Sequence, residues 1–180
     1  MYSTLQRLNH ISSLATTYVM ILLGLISIAS FLSLPSVDVG KVEIKDLIVQ
    51  KGRLRRWGAR QEELASLKFD IRTDLNPLLN SYNTKQLFVY LTASYEEQNT
   101  GNAHEVVLWD RIIQRAEIRD IRAVGNKNKY QWRNPSGTFK DVEYANMTLH
   151  YSLMPYVGVL SSGVAATAQG PVTIPPLVKR

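Results

Sequence analysis

The chain contains no cysteine. That absence removes disulfides, zinc–thiolate sites and thiol catalysis together, so a domain built from this sequence holds by packing alone or by packing plus a partner. Histidine is scarce as well. His10 precedes the long apolar stretch, His104 and His150 lie far apart, and no H-x-x-x-H spacing exists to grip a metal. The Gly-x-Ser-x-Gly setting of a serine nucleophile is missing, and Ser161-Ser162-Gly163 reads as a flexible turn. No catalytic apparatus, metal site or cofactor is expected.

Charge is missing from Ile11 to Leu34, twenty-four consecutive residues that end at Pro35. As a helix rising about 1.5 Å per residue, this run is roughly 36 Å long, enough to cross a hydrocarbon core of about 30 Å with some tilt. A cleaved signal peptide has a shorter apolar core, about 7–15 residues, before a small-x-small site. Ser27 and Ala29 offer such a site, yet the apolar run continues through Phe31 and Leu32. The segment therefore reads as an uncleaved signal anchor. Its small residues at intervals of three and four, Ser13/Thr17, Ser27/Ser30 and Ala29/Ser33, have two readings: close packing against another span, or hydroxyls bonded to carbonyls of their own helix.

The expected organisation is a tail over residues 1–10, a membrane span over 11–34 and a domain over 35–180, large enough for one core. Arg7 is the only Lys or Arg before the span, so 20 basic residues against 15 acidic ones leave the domain at +5, with the excess spread along the chain. Two features disagree about its side of the membrane. Lys41, Lys45, Lys51 and Arg53 follow the span closely, which by the positive-inside rule favours a cytosolic domain. Asn146-Met147-Thr148 is an N-glycosylation acceptor and favours the opposite side, whereas Asn134-Pro135-Ser136 is spoiled by its proline.

Beyond Pro35 the residue pattern is extended. Val42 and Ile44 alternate with Lys41, Glu43 and Lys45, and a loop is expected over residues 50–60, with Lys51, Arg53, Arg55, Arg56 and Arg60 around Trp57. Leu67, Phe69, Ile71, Thr73 and Leu75 form one face of the clearest strand. Lys68, Asp70, Arg72 and Asp74 form the other, read as a solvated charge ladder. Asn76-Pro77 opens a turn with Asn as cap and Pro at the first helical position. Residues 85–95 place Leu87, Val89, Leu91, Ala93 and Tyr95 on one face and Phe88, Tyr90, Thr92 and Ser94 on the other, the pattern of an inner strand. Residues 106–113 resume extended structure. Ile118, Ile121 and Val124 suggest a short helix or an irregular connection over 114–128, and 130–132 a short strand. Met147, Leu149, Tyr151 and Leu153 alternate with His150 and Ser152 opposite, Pro155 ends that strand, and a last strand near Val172 precedes a loose tail. Six or seven short strands predict an antiparallel β-sandwich behind a single N-terminal transmembrane helix.

Four blocks share an order and spacing with a known family: Phe69-Asp70-Ile71-x-Thr73-Asp74-Leu75, Asn83-x-Lys85-Gln86-Leu87-Phe88-Val89-Tyr90-Leu91, Val106-Val107-Leu108-Trp109-Asp110, and Asn146-Met147-Thr148-Leu149 with Pro155 beyond. On these the chain resembles the signal peptidase complex subunit 3 family. The Lys-Gln-Leu-Phe and Val-Leu-Trp-Asp blocks carry most of the specificity, and 51–60 and 116–128 match nothing in it. The resemblance implies a type II protein of the endoplasmic reticulum membrane whose β domain is luminal. It implies hetero-oligomeric partners: a catalytic serine-type signal peptidase subunit, the other subunits of that complex, membrane lipid, and nascent chains bearing signal peptides indirectly, with no nucleic acid. It implies no catalysis by the subunit itself and glycosylation at Asn146. The candidate partner or core contacts are Lys85, Gln86, Leu87, Phe88, Tyr90, Trp109, Asp110 and Trp57. Asp110 is read as an ion-pair or hydrogen-bond residue, with Arg111 or another arginine. An alternative of another class is a membrane-anchored β domain that binds anionic lipid or nucleic acid through the basic loop 51–60.

Overall fold

The computed structural model describes residues 3–53, 61–115 and 120–178. Trp57, most of the basic stretch 51–60 and part of the 114–128 connection lie outside them.

The uncharged run folds as one helix, α1 (Thr4–Leu32), 29 residues and about 43 Å long. It starts well before Ile11 because Ser3 and Gln6 form a capping box: the Ser3 hydroxyl accepts the Gln6 amide and the Gln6 side chain accepts the Ser3 amide. It stops before Pro35, with the Ser33 amide on the Ala29 carbonyl. None of its residues is buried, as a helix that meets lipid on most sides requires. Thr16 and Thr17 donate to the carbonyls of Ser12 and Ser13, so these hydroxyls are satisfied within the helix.

The rest is a domain of strands: β1 (Gly40–Arg53), β2 (Gln61–Asp74), β3 (Thr84–Glu96), β4 (Ala103–Gln114), β5 (Asp120–Lys127), β6 (Trp132–Arg133), β7 (Tyr144–Pro155), β8 (Ser161–Ala168) and β9 (Val172–Thr173), with one short helix, α2 (Asn76–Asn80). The order β4-β3-β7-β8-β1-β2-β5 makes a single sheet, with β6 added to β2 and β9 to β7. β3 lies between β4 and β7, the inner position its two bulky faces suggested. Among the described residues all pairings are antiparallel except one: Gly40–Val42 of β1 run parallel to Ala166–Ala168 of β8. The two layers of the expected sandwich come from this one mixed sheet curling on itself. Phe69 of β2 meets Trp109 of β4 edge-on at 5.9 Å, and Trp132 of β6 packs against Tyr95 of β3 at 6.0 Å. The amides of Lys129 and Tyr130 both donate to the Leu108 carbonyl, tying the segment after β5 to β4.

The faces read from alternation are the faces buried. Leu67, Phe69 and Ile71 of β2, Leu75 just after it, and Leu87, Val89, Leu91 and Ala93 of β3 are all fully enclosed, and Met147, Leu149 and Leu153 of β7 join them.

Several expectations are corrected. Residues 50–53 are strand, not loop, because they pair with Leu64 to Gln61 of β2. Asp70 is not a solvated charge: it is 6% exposed, and its carboxylate accepts the Gly125 amide at 2.7 Å and meets Lys45 at 3.5 Å. Asn76 does not cap α2 but is its first helical residue, its amide donating to Asp74 Oδ1, and Pro77 is therefore the second helical residue rather than the first. Residues 120–127 form β5 along β2, with Gly125 in the left-handed region at φ 66°. The short strand expected at 130–132 is confined to Trp132–Arg133. Ser161-Ser162-Gly163 is the start of β8, not a turn. The tail is fastened, with the Ile174 amide on Glu143 and the Val178 amide on Val49.

Candidate functional site

Three parts of the molecule offer more than scaffold. The first is the junction between α1 and the sheet. Asn83 lies in the turn before β3, and its amide side chain works as an extra strand residue. Its Nδ2 donates to the Val157 carbonyl at 2.6 Å and its Oδ1 accepts the Val157 amide at 3.0 Å. The same Nδ2 donates to Ser30 Oγ of α1 at 3.0 Å, and the Asn83 carbonyl accepts the Tyr156 amide. Beside it Gly158 sits at φ 119°, and a Cβ built there would fall 2.8 Å from Ser27 Oγ. The Ser27/Ser30 pair therefore allows close approach, but to this chain's own domain.

The second is the outer face of β4, β3, β7 and β8. Phe88, Tyr90 and His150 stack in a row, with ring centroids 5.4 and 5.3 Å apart. Ile112 and Val107 of β4 and Val164 of β8 flank the row and remain partly exposed. Asp110, opposite Tyr90, accepts from Lys129 Nζ at 2.6 Å and from the Tyr130 hydroxyl at 2.9 Å, so its basic partner is a lysine rather than the expected arginine. The Lys129 ammonium holds the Asp110 carboxyl below its usual range, and Asp110 raises Lys129 in return. Asn146 lies on the same face at the opposite end of β7 from the junction, facing Ser94 and exposed.

The third is a buried polar cluster at that far end. Asn134, 1% exposed, accepts from the Tyr95 hydroxyl and donates to Glu97 Oε1, Ser136 Oγ and the Thr138 carbonyl. Thr100 donates to Glu97 Oε2, and His104 Nε2 stands 3.9 Å from Glu97 Oε1. Bonds from Thr100 and Asn134 hold the Glu97 carboxyl below its usual range against the cost of burial. Burial pushes the Tyr95 phenol up, opposed by the Trp132 indole and reinforced by the Glu97 charge.

A carboxyl depressed in the folded state contributes stability above its unfolded pKa and loses it as pH falls through the folded one. Stability of the detergent-solubilised chain, read as a urea midpoint, is therefore expected to decline in acid below the ordinary glutamate range. Glu97→Gln is expected to lower the midpoint at neutral pH and to shallow that decline. An unchanged pH profile in Glu97→Gln rejects the assignment.

The residues singled out from sequence separate into groups. Leu87 and Trp109 are core, at 0% and 9% exposure. Phe88, Tyr90 and Asp110 share the outer face. Lys85 is exposed near the junction, where Gln86 donates to Met154 Sδ at 3.0 Å. The junction residues Asn83 and Gly158 were not recognised from sequence as a pair; the only local sign was a glycine between two valines after Pro155. Among the described residues no group of three or more His, Asp or Glu is arranged to hold a metal.

The family described as signal peptidase subunit matches residues 1–176, helix and sheet together. The chain belongs to the signal peptidase subunit family. Similar relatives named signal peptidase complex subunit 3 span wide distances. That of Yarrowia lipolytica is 28% identical over 99% of this chain and 100% of its own length. That of Saccharomyces cerevisiae is 32% identical over 91% of each, and that of Homo sapiens 31% identical over 64% of this chain and 61% of its own. The apolar α1 and the β domain behind it are thus features of a signal peptidase subunit, and the four blocks that carried the resemblance lie along β2, β3, β4 and β7.

Proposed function

We propose that the chain is a non-catalytic accessory subunit of the endoplasmic reticulum signal peptidase complex. In this reading α1 is a type II signal anchor, residues 1–10 are cytosolic and residues 35–180 are luminal. The domain packs against the catalytic serine-type subunit and holds its active centre at the luminal membrane surface, where signal peptides emerge. The observation that carries the reading is that the family match runs through helix and sheet as one unit, residues 1–176. The Asn83–Ser30 and Gly158–Ser27 contacts, which couple those two parts, support it. The outer aromatic face with Phe88, Tyr90 and His150 is the surface of the domain best suited to a protein partner. The basic stretch 51–60 enters no part of it.

Full-length tagged chain purified from microsomes in mild detergent is expected to bring down a serine-type signal peptidase subunit. Recovery with ribosomal RNA or cytosolic factors in its place overturns the reading. Orientation has its own test. Glycosidase treatment of microsomal protein is expected to increase gel mobility, and Asn146→Gln is expected to abolish that shift. A wild-type chain whose mobility matches Asn146→Gln before and after treatment removes the support Asn146 lends to a luminal domain.

A further inference from the structure

α1 fixes the height of the bilayer against the domain, and the domain grips it inside the apolar run rather than above it. Ser27 and Ser30 lie five and two residues before the last helical residue, Leu32, about 7.5 and 3 Å along the axis. Whatever packs against them shares the level of the lipid. What packs there is the turn after β7, residues 156–160, clamped by Asn83 from the turn before β3.

These two turns are unusually apolar and unusually open. Tyr82 is 92% exposed, Val159 73%, and Tyr156 and Leu160 each 62%. Val159 lies beside Ser27 and Phe31 in the crevice between helix and sheet. Two cations stand at the same end: Lys85 is exposed, and Arg115 donates to the Tyr82 carbonyl at 2.9 Å. No acidic residue follows Glu143 in the sequence, and none occurs from Asn80 to Phe88. In water, clustered open valine, leucine and tyrosine side chains are unfavourable. At a membrane surface they are favoured: tyrosine suits the headgroup level, aliphatic side chains suit the acyl boundary, and Lys and Arg meet phosphates.

We propose that the turns at 82–83 and 156–160 form a rim seated in phospholipid of the bilayer that α1 crosses. Val159 and Leu160 reach the acyl boundary, Tyr82 and Tyr156 lie among headgroups, and Lys85 and Arg115 face phosphates. The domain then rests on the membrane at several points instead of hanging from one helix. The inference rests on α1 spanning the bilayer and needs no partner subunit.

Because the chain lacks cysteine, single cysteines report without background. The full-length protein in phosphatidylcholine vesicles is labelled with a nitrobenzoxadiazole fluorophore at Leu160→Cys, at Tyr156→Cys, at Leu22→Cys in mid-helix, or at Asn99→Cys at the far end of the sheet. The labels at 160 and 156 are expected to emit to the blue of the label at 99. Headgroup nitroxide lipids should quench them, and iodide should quench them several-fold more weakly than the label at 99. Adding Leu160→Asp to the Tyr156→Cys protein is expected to restore iodide access. If positions 156 and 160 behave like 99 while 22 is lipid-quenched, the span stands, the rim is left for a protein to cover, and the proposal fails. If 22 is also beyond reach of lipid quenchers, the span and the rim fail together. If Leu160→Asp leaves iodide access unchanged, the fluorophore rather than the chain drives insertion, and the proposal is likewise overturned.

Discussion

Replacing Leu91 by aspartate is expected to abolish the folded domain. Leu91 is fully enclosed on the inner strand β3, opposite Trp109 of β4 and Leu149 of β7. Trp109 in turn packs edge-on against Phe69 of β2, so this is where the two ends of the curled sheet meet. Losing the leucine side chain alone costs about 2–5 kcal/mol. A carboxylate set there without a partner adds several more, or takes up a proton at similar cost. Domains of this kind are stable by only about 5–15 kcal/mol in total. The urea transition of the detergent-solubilised chain should disappear, and trypsin should digest the domain while leaving α1. Leu91→Met conserves volume and should cost less than about 1.5 kcal/mol. A native urea midpoint in Leu91→Asp would show that the β2 and β4 ends do not meet. In cells, the proposed scaffold role predicts that signal-peptide cleavage falls with the domain, and normal cleavage beside an unfolded domain would sink that role.

The second large effect is expected where the domain meets the membrane. Gly158→Val places a branched side chain at φ 119°, a backbone conformation that costs such residues about 1–3 kcal/mol, and directs its Cβ at Ser27. The sheet has no reason to unfold, since Gly158 lies outside β7 and β8. The helix must instead separate from the turn, and the Asn83–Ser30 bond goes with it. Spin-label distances between Leu22→Cys and Asn99→Cys should broaden in Gly158→Val while the urea midpoint of the domain stays close to wild type. Under the proposed scaffold role, signal-peptide cleavage should drop although the protein is folded. A distance distribution as narrow as that of the parent chain would mean that the clamp does not set the angle between helix and sheet.

The parts legible in the sequence were those whose pattern is local. α1 follows from a charge-free run, and β2, β3, β4 and β7 follow from strict alternation, because a strand with one buried face shows its period in its own residues. The parts that were missed depend on partners far along the chain. β8 is built from Ser, Gly, Ala and Thr with a single valine, too small to show a period, and it is a strand because β7 and β1 flank it. A Cβ on its Gly163 would stand 2.6 Å from the Tyr151 hydroxyl, so a side chain there would have to displace the phenol. β5 carries a three-residue spacing that resembles a helix, and its fate is decided by pairing with β2 and by Asp70 taking the Gly125 amide. The outer-face residues Phe88 and Tyr90 were found because their bulk stood out on a strand's second face. Asn83 and Gly158 were not, because a clamp between a turn and a helix has no period to detect.

The parallel contact between Gly40–Val42 and Ala166–Ala168 sets a timetable for biosynthesis. Hairpins such as β1–β2 and β3–β4 join neighbours in the chain and can form as soon as each has emerged. Among the described residues β8 is the one strand that bridges the β4-β3-β7 half to the β1-β2-β5 half, and it comes almost last. Until then β1 and β7 each present an open edge, the kind of surface that invites wrong pairing. A ribosome that stops before residue 161 would release a chain whose halves touch through Phe69–Trp109, Trp132–Tyr95 and the Leu108 carbonyl but lack the strand that joins their edges. The sheet is thus completed only near the end of translation, and a chain truncated before residue 161 is expected to be cleared by quality control as an unfinished sheet.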